Sequence, residues 1–298
     1  MLASIITRNL GYELIGEDYD IYQIRYATEA TENDIAVVQN KSDLDKTEAK
    51  VVLIENGLYA SDKSFIFASD SIECAMVKIC RFLISEGMLP DYSAAVQYKT
   101  FGPGYYMGYN CCIGRETRIQ PTAMIGNNVS IGAGCFIDAG VIIGSDTVIG
   151  DNVSIGAGTK IGSDSFYHYY HEGQLHQFCG CGRVIINRGT TIGYNTVIQR
   201  GTIADTIIDE HCVIGNLIDI GHDVKIGKSC KVVSQTGIAG GAVLKDNVTV
   251  YGQVGISNNV TVGNNVVIKG KTTVTRSVSD NETVFGQFGR SFEEELKL

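Results

Sequence analysis

The sequence lacks any long apolar run, which argues against a membrane-spanning helix. Its longest apolar segment, 74–84, is interrupted by Lys78 and Arg81, whereas a spanning helix needs about 20 consecutive apolar residues. The first ten residues have neither a basic start nor an extended apolar segment, so we expect no signal peptide. With 298 residues, 44% of them hydrophobic, the chain is expected to be a soluble protein of one or two domains.

The sequence also lacks a net positive charge and a cysteine pattern that would indicate a disulfide framework. The net charge of −9 argues against nucleic acid as a ligand, because nucleic-acid binding depends on neutralising phosphates. Nine cysteines, an odd number scattered over the chain, indicate a reducing compartment, and we therefore expect a cytoplasmic protein. Residues 222–290 hold eight basic and four acidic residues, which favours an anionic ligand there, although a solvated basic face gives the same pattern.

The dominant feature that is present is an aliphatic residue at every sixth position. One run extends from Ile113 to Ile161, three repeats span 186–198, and a second long run ends at Val274. No helix has a period of six and a lone strand has a period of two, so the spacing predicts three short strands per coil of a parallel β-helix. Nine, three and twelve repeats make 24, which corresponds to eight coils.

The repeats divide the chain into parts. The region before them alternates short β-rich runs with helical segments, including 71–85 with Ser71 as its N-cap, which predicts a small α/β domain. That domain is a candidate for nucleotide binding. In chain order we predict the following parts: an α/β domain at 1–100, a linker at 101–112, the β-helix at 113–279 and a short C-terminal tail at 280–298.

The segment 166–183 interrupts the repeats and must leave the coil, and insertions in repeat proteins commonly form binding surfaces. Three of its side chains are predicted to line a binding pocket: Phe166, Tyr167 and His168.

The same segment also holds five residues of metal-ligand type: His168, His171, His176, Cys179 and Cys181. Their spacing matches no familiar zinc motif. Only His211 and His222 lie on regular coils, and they occupy different positions within the six-residue repeat. A metal centre of several histidines from neighbouring coils is therefore not expected either. We predict no metal site.

His222 is the candidate for chemistry. It follows the core residue Ile220 by two positions, so its side chain is expected to point outward near a corner. Imidazole titrates close to neutral pH and suits general-base catalysis, although an outward histidine is more often an ordinary surface residue. One coil corresponds to 18 residues, which places Gly240 beside His222. The small residues of 235–241 leave backbone N–H groups accessible to a carbonyl oxyanion, or allow tight packing against another subunit.

Seven motifs carry a resemblance to a known family: Gly162-Ser-Asp-Ser-Phe166, Gly182-Arg-Val-Ile-Ile186, Ile198-Gln-Arg-Gly201, Asp205-Thr-Ile207, Asn216, Ile220-Gly-His-Asp-Val224 and Gln235-x-Gly-Ile-Ala-Gly240. Together they resemble the left-handed β-helix, hexapeptide-repeat acyltransferases, and most of all the UDP-3-O-(3-hydroxyacyl)glucosamine N-acyltransferases of lipid A synthesis. The resemblance implies a left-handed β-helix, homotrimers with sites between subunits, His222 as general base and Gly240 as donor of an N–H to the oxyanion.

The resemblance also implies the ligands. The acyl donor is expected to be acyl-CoA or acyl carrier protein as co-substrate, with no cofactor, and the acceptor a nucleotide-linked amino sugar. Besides the three aromatic-segment residues, we predict four substrate-binding residues: Asn40, Asn216, Asp219 and Asn259.

Three departures from the family pattern leave the substrate open. Val37 stands where the family often has an aromatic residue for uracil, Asn259 replaces a second histidine, and the long C-terminal helices are mostly missing. The first departure bears on the uridine site and the other two on the acyl donor. The acceptor is therefore either UDP-3-O-acylglucosamine or a dTDP- or UDP-linked amino-deoxysugar for a surface polysaccharide such as O-antigen. The alternative is a non-catalytic trimeric scaffold that binds sugar nucleotides.

Overall fold

The structure is a computed structural model, and it describes residues 1–54, 62–92, 96–102, 104–178 and 180–286. The chain forms two compact units. One contains Met1–Ala95, Ser165–Gly182 and Thr202–Ala204, and the other contains Val96–Asp164, Arg183–Gly201 and Asp205–Leu298. Among the helices of the described ranges, none has the length and apolar composition that a membrane span requires.

The first unit contains a five-stranded sheet with three helices. In chain order its elements are α1 (Ala3–Leu10), β1 (Glu13–Ile15), β2 (Gln23–Tyr26), β3 (Asp34–Val37), α2 (Lys41–Lys46), β4 (Val51–Ile54), β5 (Ser64–Phe67) and α3 (Ile72–Ser85). The strand order is β1-β5-β4-β3-β2, with β1 antiparallel at one edge and the other strands parallel. The two strands β3 and β4 are buried along their whole length, and β4 has the unbroken apolar sequence expected of a strand that is covered on both faces. Helix α3 has the predicted N-cap, because the Ser71 hydroxyl accepts a hydrogen bond from the Cys74 N–H.

The second unit is a β-helix with three sheets. The first sheet contains β6 (Lys99–Phe101), β7 (Tyr105–Met107), β10 (Met124–Ile125), β13 (Ile142–Ile143), β16 (Lys160–Ser163), β21 (Val197–Gln199), β24 (Asp219–Ile220), β27 (Gly237–Ile238), β30 (Gly255–Ile256) and β33 (Thr273–Val274). The second contains β8 (Cys112–Ile113), β11 (Ser130–Ile131), β14 (Val148–Ile149), β19 (Val184–Ile186), β22 (Thr206–Ile208), β25 (Lys225–Ile226), β28 (Val243–Leu244) and β31 (Thr261–Val262). The third contains β9 (Arg118–Ile119), β12 (Phe136–Ile137), β15 (Ser154–Ile155), β20 (Thr191–Ile192), β23 (Val213–Ile214), β26 (Lys231–Val232), β29 (Thr249–Val250), β32 (Val267–Ile268) and β34 (Thr283–Val284).

The register of these sheets confirms the period of six. In regular coils, parallel partners lie 18 residues apart, as in Ile125 with Ile143 and Ile220 with Ile238. The repeating aliphatic side chains are buried and form one continuous core, in which each residue is covered by its counterparts in the coils on either side. The predicted fold class is therefore confirmed: the chain is mainly β, and a small α/β unit accompanies a parallel β-helix.

Both ends of the β-helix lie outside the predicted limits. Met107 pairs with Ile125, so Tyr105–Met107, within the predicted linker, forms a strand of the β-helix. The six-residue pattern misses this coil because methionine takes the aliphatic position, where it packs against the same core. At the other end Val284 pairs with Ile268, so the β-helix also includes part of the predicted tail. The first and third sheets consequently have nine parallel strands each, one more than the eight coils predicted. Residues 287–298 of the tail lie outside the described residues.

The insertion forms a β-hairpin that belongs to the first unit. Its strands are β17 (Tyr167–His171) and β18 (Gln174–Phe178), joined by a two-residue turn at Glu172 and Gly173 with φ of 50° and 75°. Positive φ at both turn residues is typical of the tight turns that connect antiparallel strands. Tyr169 and Phe178 are buried in the core that surrounds α3. The insertion does leave the coil as predicted, but it packs as part of a folded unit instead of standing free.

Candidate active site

His222 lies at the corner that follows β24, where the chain turns into the next sheet. Its Nδ1 is 2.7 Å from Oδ2 of Asp223, whose side chain is only 4% exposed, and 13% of the His222 side chain is exposed. The φ of Asp223 is 59°, a left-handed conformation that aspartate tolerates better than most residues. Because a carboxylate only accepts hydrogen bonds, Nδ1 carries the hydrogen, and Nε2 is the ring nitrogen whose lone pair can act as a base.

Gly240 lies beside this histidine, one coil further on. The N–H of Gly241 donates to the carbonyl of His222 at 2.9 Å, and the N–H of Gly221 donates to that of Ile238 at 2.8 Å, which aligns the two corners. A Cβ atom added to Gly240 would overlap Cε1 and Nε2 of the imidazole. The ring therefore lies directly against the Cα atom of Gly240, and only glycine leaves room for it.

The backbone N–H of Gly240 differs from the N–H groups of several other corners. At the equivalent corner in an earlier coil, the N–H of Asn127 donates to the hydroxyl of Ser145, 18 residues on. Other corner residues are capped one coil on in the same way: Ala133 by Asp151, Asn216 by Ser234 and Lys228 by Asp246. Within the part of the chain that the structure describes, the Gly240 N–H has no such partner. Since buried N–H groups are nearly always paired, this donor is suited to an acceptor on a ligand.

A groove of about 440 Å³ opens on the sheet that follows the His222 corner. Its lining residues are Ile207, Asp209, Lys225, Ile226, Gly227, Val243, Leu244, Lys245, Asp246 and Asn264. Lys225 comes three residues after His222 and offers an ammonium group, as does Lys245. The two aspartates give the groove a mixed charge, so its lining is less basic than the composition of 222–290 suggests.

The predicted binding residues of the first unit occupy different settings. Asn40 is exposed and caps α2, where its Oδ1 accepts from the Asp43 N–H at 3.1 Å and its Nδ2 donates to the Asp43 carboxylate at 2.8 Å. Val37 is buried in β3 and presents no surface for stacking. Phe166 is 76% exposed, with its ring 4.7 Å from that of His168, whereas Tyr167 packs edge-on against a neighbouring ring of the hairpin. Their binding roles stay predictions.

In the second unit, two of the three predicted binding residues lie near the histidine. Asn259 begins the coil beyond Gly240, because its N–H donates to the Gly240 carbonyl at 3.1 Å. Asp219 lies on β24 just before the corner, with its carboxylate 3.3 Å from the Gln199 side-chain amide. Asn216 lies at the preceding corner, where its Oδ1 accepts from the Tyr194 N–H, so it is separated from the histidine by the strand. These roles also stay predictions.

Asp223 is a site residue that the six-residue pattern does not predict. Its only sequence signal is an acidic side chain directly after the histidine. Adjacent residues commonly face opposite sides of a chain, and the left-handed φ at the corner is what brings the carboxylate to the imidazole.

Residues 128–163 match the family described as bacterial transferase hexapeptide (six repeats). The chain is 45% identical over 83 residues to UDP-3-O-acylglucosamine N-acyltransferase of Rickettsia canadensis (strain McKiel), and 46% identical over 82 residues to the enzyme of the same name from Rickettsia bellii (strain RML369-C). Each match covers 28% of this chain and 24% of the relative, so the chain aligns with about a quarter of the length of these relatives.

Solved structures share the fold. UDP-N-acetylglucosamine O-acyltransferase of Moraxella catarrhalis RH4 superimposes with a TM-score of 0.56 at 21% identity, over 66% of this chain and 76% of that one. UDP-N-acetylglucosamine acyltransferase of Arabidopsis gives 0.54 at 23% identity, over 62% and 71%. At these identities the likeness concerns the fold. The chain is therefore similar to hexapeptide-repeat acyltransferases over part of its length, and it shares the β-helix fold of the solved structures.

Proposed function

We propose that the protein is an N-acyltransferase that transfers a 3-hydroxyacyl group from a thioester to the amino group of UDP-3-O-acylglucosamine in lipid A synthesis. The observation that carries the proposal is the corner at His222. There a histidine held by a buried carboxylate lies against a glycine whose N–H has no partner among the described residues. A base and an oxyanion donor side by side are the two groups that acyl transfer requires.

The proposed reaction uses each of these groups once. Nε2 of His222 takes a proton from the amino group of the sugar, and the nitrogen lone pair attacks the carbonyl carbon of the thioester. The negative charge that develops on the carbonyl oxygen is stabilised by the N–H of Gly240. The C–S bond then breaks, and the thiolate receives the proton that the imidazole holds. The products are an amide and a free thiol, and no covalent enzyme intermediate is needed.

Asp223 serves this reaction as a positioning residue. Its carboxylate fixes the imidazole in the tautomer whose Nε2 carries the lone pair, and it stabilises the positive charge that the ring acquires during proton transfer. Its backbone N–H donates to the Thr206 hydroxyl at 2.9 Å, which anchors the corner to the neighbouring coil.

The names of the partial relatives support UDP-3-O-acylglucosamine as the acceptor over the amino-deoxysugars. Lys225 and Lys245 in the groove offer charges for phosphate groups, of the nucleotide or of the donor's pantetheine arm.

We further propose that the protein is a cytoplasmic homotrimer. Apolar side chains exposed on the β-helix, such as Ile142 and Val213, support association through its sheets.

The function is tested by measuring thiol release and product mass with matched donor and acceptor pairs. We expect turnover with UDP-3-O-acylglucosamine and a 3-hydroxyacyl thioester, carried by acyl carrier protein or coenzyme A. UDP-N-acetylglucosamine, whose nitrogen is already acylated, is the negative control. Turnover only with dTDP-linked amino sugars would reassign the acceptor. Binding of sugar nucleotides without turnover of any pair would favour the non-catalytic scaffold.

We expect Asp223→Asn to lower kcat/KM by about 100-fold, because an amide does not stabilise the charged imidazole and permits the wrong tautomer. The matched control is Asp146→Asn, at the same corner of an earlier coil with φ of 61° and no histidine beside it. Equal losses in both variants would contradict the role of Asp223.

A further inference from the structure

Three side chains of metal-ligand type meet in the first unit, in a cluster that the proposed acyl transfer does not use. Asp70 lies just before the N-cap of α3, Cys74 lies in its first turn, and His171 ends β17 of the hairpin. Their ligand atoms all lie within 4.8 Å of one another. Cys74 and His171 are 97 residues apart in sequence, so only the packing of the hairpin brings them together.

The geometry of this cluster fits a tetrahedral zinc ion. Sγ of Cys74 is 3.4 Å from Nδ1 of His171. Zinc bonds of about 2.3 Å to sulfur and about 2.05 Å to nitrogen, at a tetrahedral angle, place those two atoms about 3.5 Å apart. Thiolate, imidazole and carboxylate together form a donor set that zinc prefers over magnesium or calcium.

The surrounding groups orient the ligands. Oδ2 of Asp70 accepts hydrogen bonds from the Tyr12 hydroxyl and from the Lys78 ammonium, both at 2.8 Å. Those bonds fix the position of the Asp70 carboxylate. On the other side of His171, Nε2 lies 3.9 Å from the Glu172 carboxylate, which is within the range of an ion pair but beyond hydrogen-bond distance.

We propose that Asp70, Cys74 and His171 bind one zinc ion, with water as the fourth ligand, and that this ion fastens the hairpin to α3. Cys74 is buried, while 17% of the Asp70 side chain and 31% of the His171 side chain are exposed, so an ion has a route to the site. The charges of the thiolate and the carboxylate together outweigh the single positive charge of Lys78. The role is structural, because none of the three residues belongs to the His222 corner.

The test is the zinc content and the cobalt spectrum of the full-length protein after chelation and reloading. We expect one zinc ion per chain, a higher Tm with added ZnCl2, and with Co²⁺ an absorption band of thiolate-to-metal charge transfer. His171→Asn and Cys74→Ser should each weaken zinc binding by at least about 100-fold, the upper range for substitutions of outer-shell residues. His171 is partly exposed at a strand end, so its substitution is expected to leave the protein folded.

His168→Asn is the matched control, because His168 lies on the same hairpin and packs against Phe166 instead of the cluster. It should bind zinc as the wild type does. A wild-type protein that retains no zinc would overturn the proposal and leave only a thiol–imidazole hydrogen bond. Zinc retained equally by both cluster variants would overturn it as well, since the ion would then lie elsewhere. Neither result bears on acyl transfer, which is measured separately.

Discussion

Replacing His222 with alanine is expected to lower kcat/KM for acyl transfer by about 10²–10⁴-fold, the range that general acid–base catalysis supplies. The substitution removes the base while the Gly240 N–H and the groove remain. The β-helix core should be unaffected, because Ile220 and Val224 on either side of the corner keep their buried positions. The measurement is the initial rate of thiol release, with the circular dichroism spectrum as a check of folding.

His211→Ala is the matched control for this variant. His211 is also a corner residue of the β-helix, and its ring lies against Gly189 as the ring of His222 lies against Gly240. It has no part in the proposed reaction, so its loss should leave the rate unchanged. A His222→Ala protein with wild-type activity, or an equal decrease in both variants, would remove His222 from the mechanism.

The core of the β-helix was predictable because its register is local. Each strand pairs with one that lies 18 residues away in a regular coil. The pairing of Ile125 with Ile143 therefore follows from their separation in the sequence. The same arithmetic predicted that Gly240 lies beside His222. The first coil escaped prediction because tyrosine and methionine replace the branched aliphatic residues there, although Met107 pairs in the same register.

What the sequence could not supply are contacts that depend on tertiary packing. The hairpin of 166–183 breaks the repeat visibly, but no local pattern indicates that Tyr169 and Phe178 complete the core around α3. The Asp70 and Cys74 spacing of one helical turn is visible in the sequence, whereas the approach of His171 is not. The prediction of no metal site considered the histidines and cysteines of the insertion and of the coils, and it did not consider Asp70 and Cys74, which lie outside both.

The positions of some predicted binding residues could be inferred from the sequence and those of others could not, and this difference has a physical origin. The 18-residue repeat fixes the position of a residue on the β-helix. Asp219 and Asn259 could therefore be assigned to the coils around His222 from their residue numbers. A residue outside the repeat, such as Asn40, has no such constraint, and its side chain caps a helix instead of standing free. Motif resemblance predicted both groups equally, and the binding roles of both groups stay predictions.

Gly240→Ala is expected to lower kcat/KM by about 100-fold through displacement of the imidazole. The added methyl group would overlap Cε1 and Nε2 of His222, and the buried Asp223 restrains the ring on its other side. The ring therefore has to shift out of its place between the methyl group and Asp223, and a shift of about 1 Å in a catalytic group costs about this much activity. The rate of thiol release measures the loss, and the hydrogen bond of the imidazole can be followed by proton NMR.

Gly237→Ala supplies the comparison that separates this effect from a general loss of stability. Gly237 lies three residues earlier on the same coil, and a Cβ added there meets no atom within 4 Å. Both variants add one methyl group, so similar melting temperatures together with a rate loss confined to Gly240→Ala would support steric displacement of the base. If Gly240→Ala retains full activity, the imidazole cannot depend on the bare main chain beneath it, and the proposed arrangement of base and oxyanion donor fails.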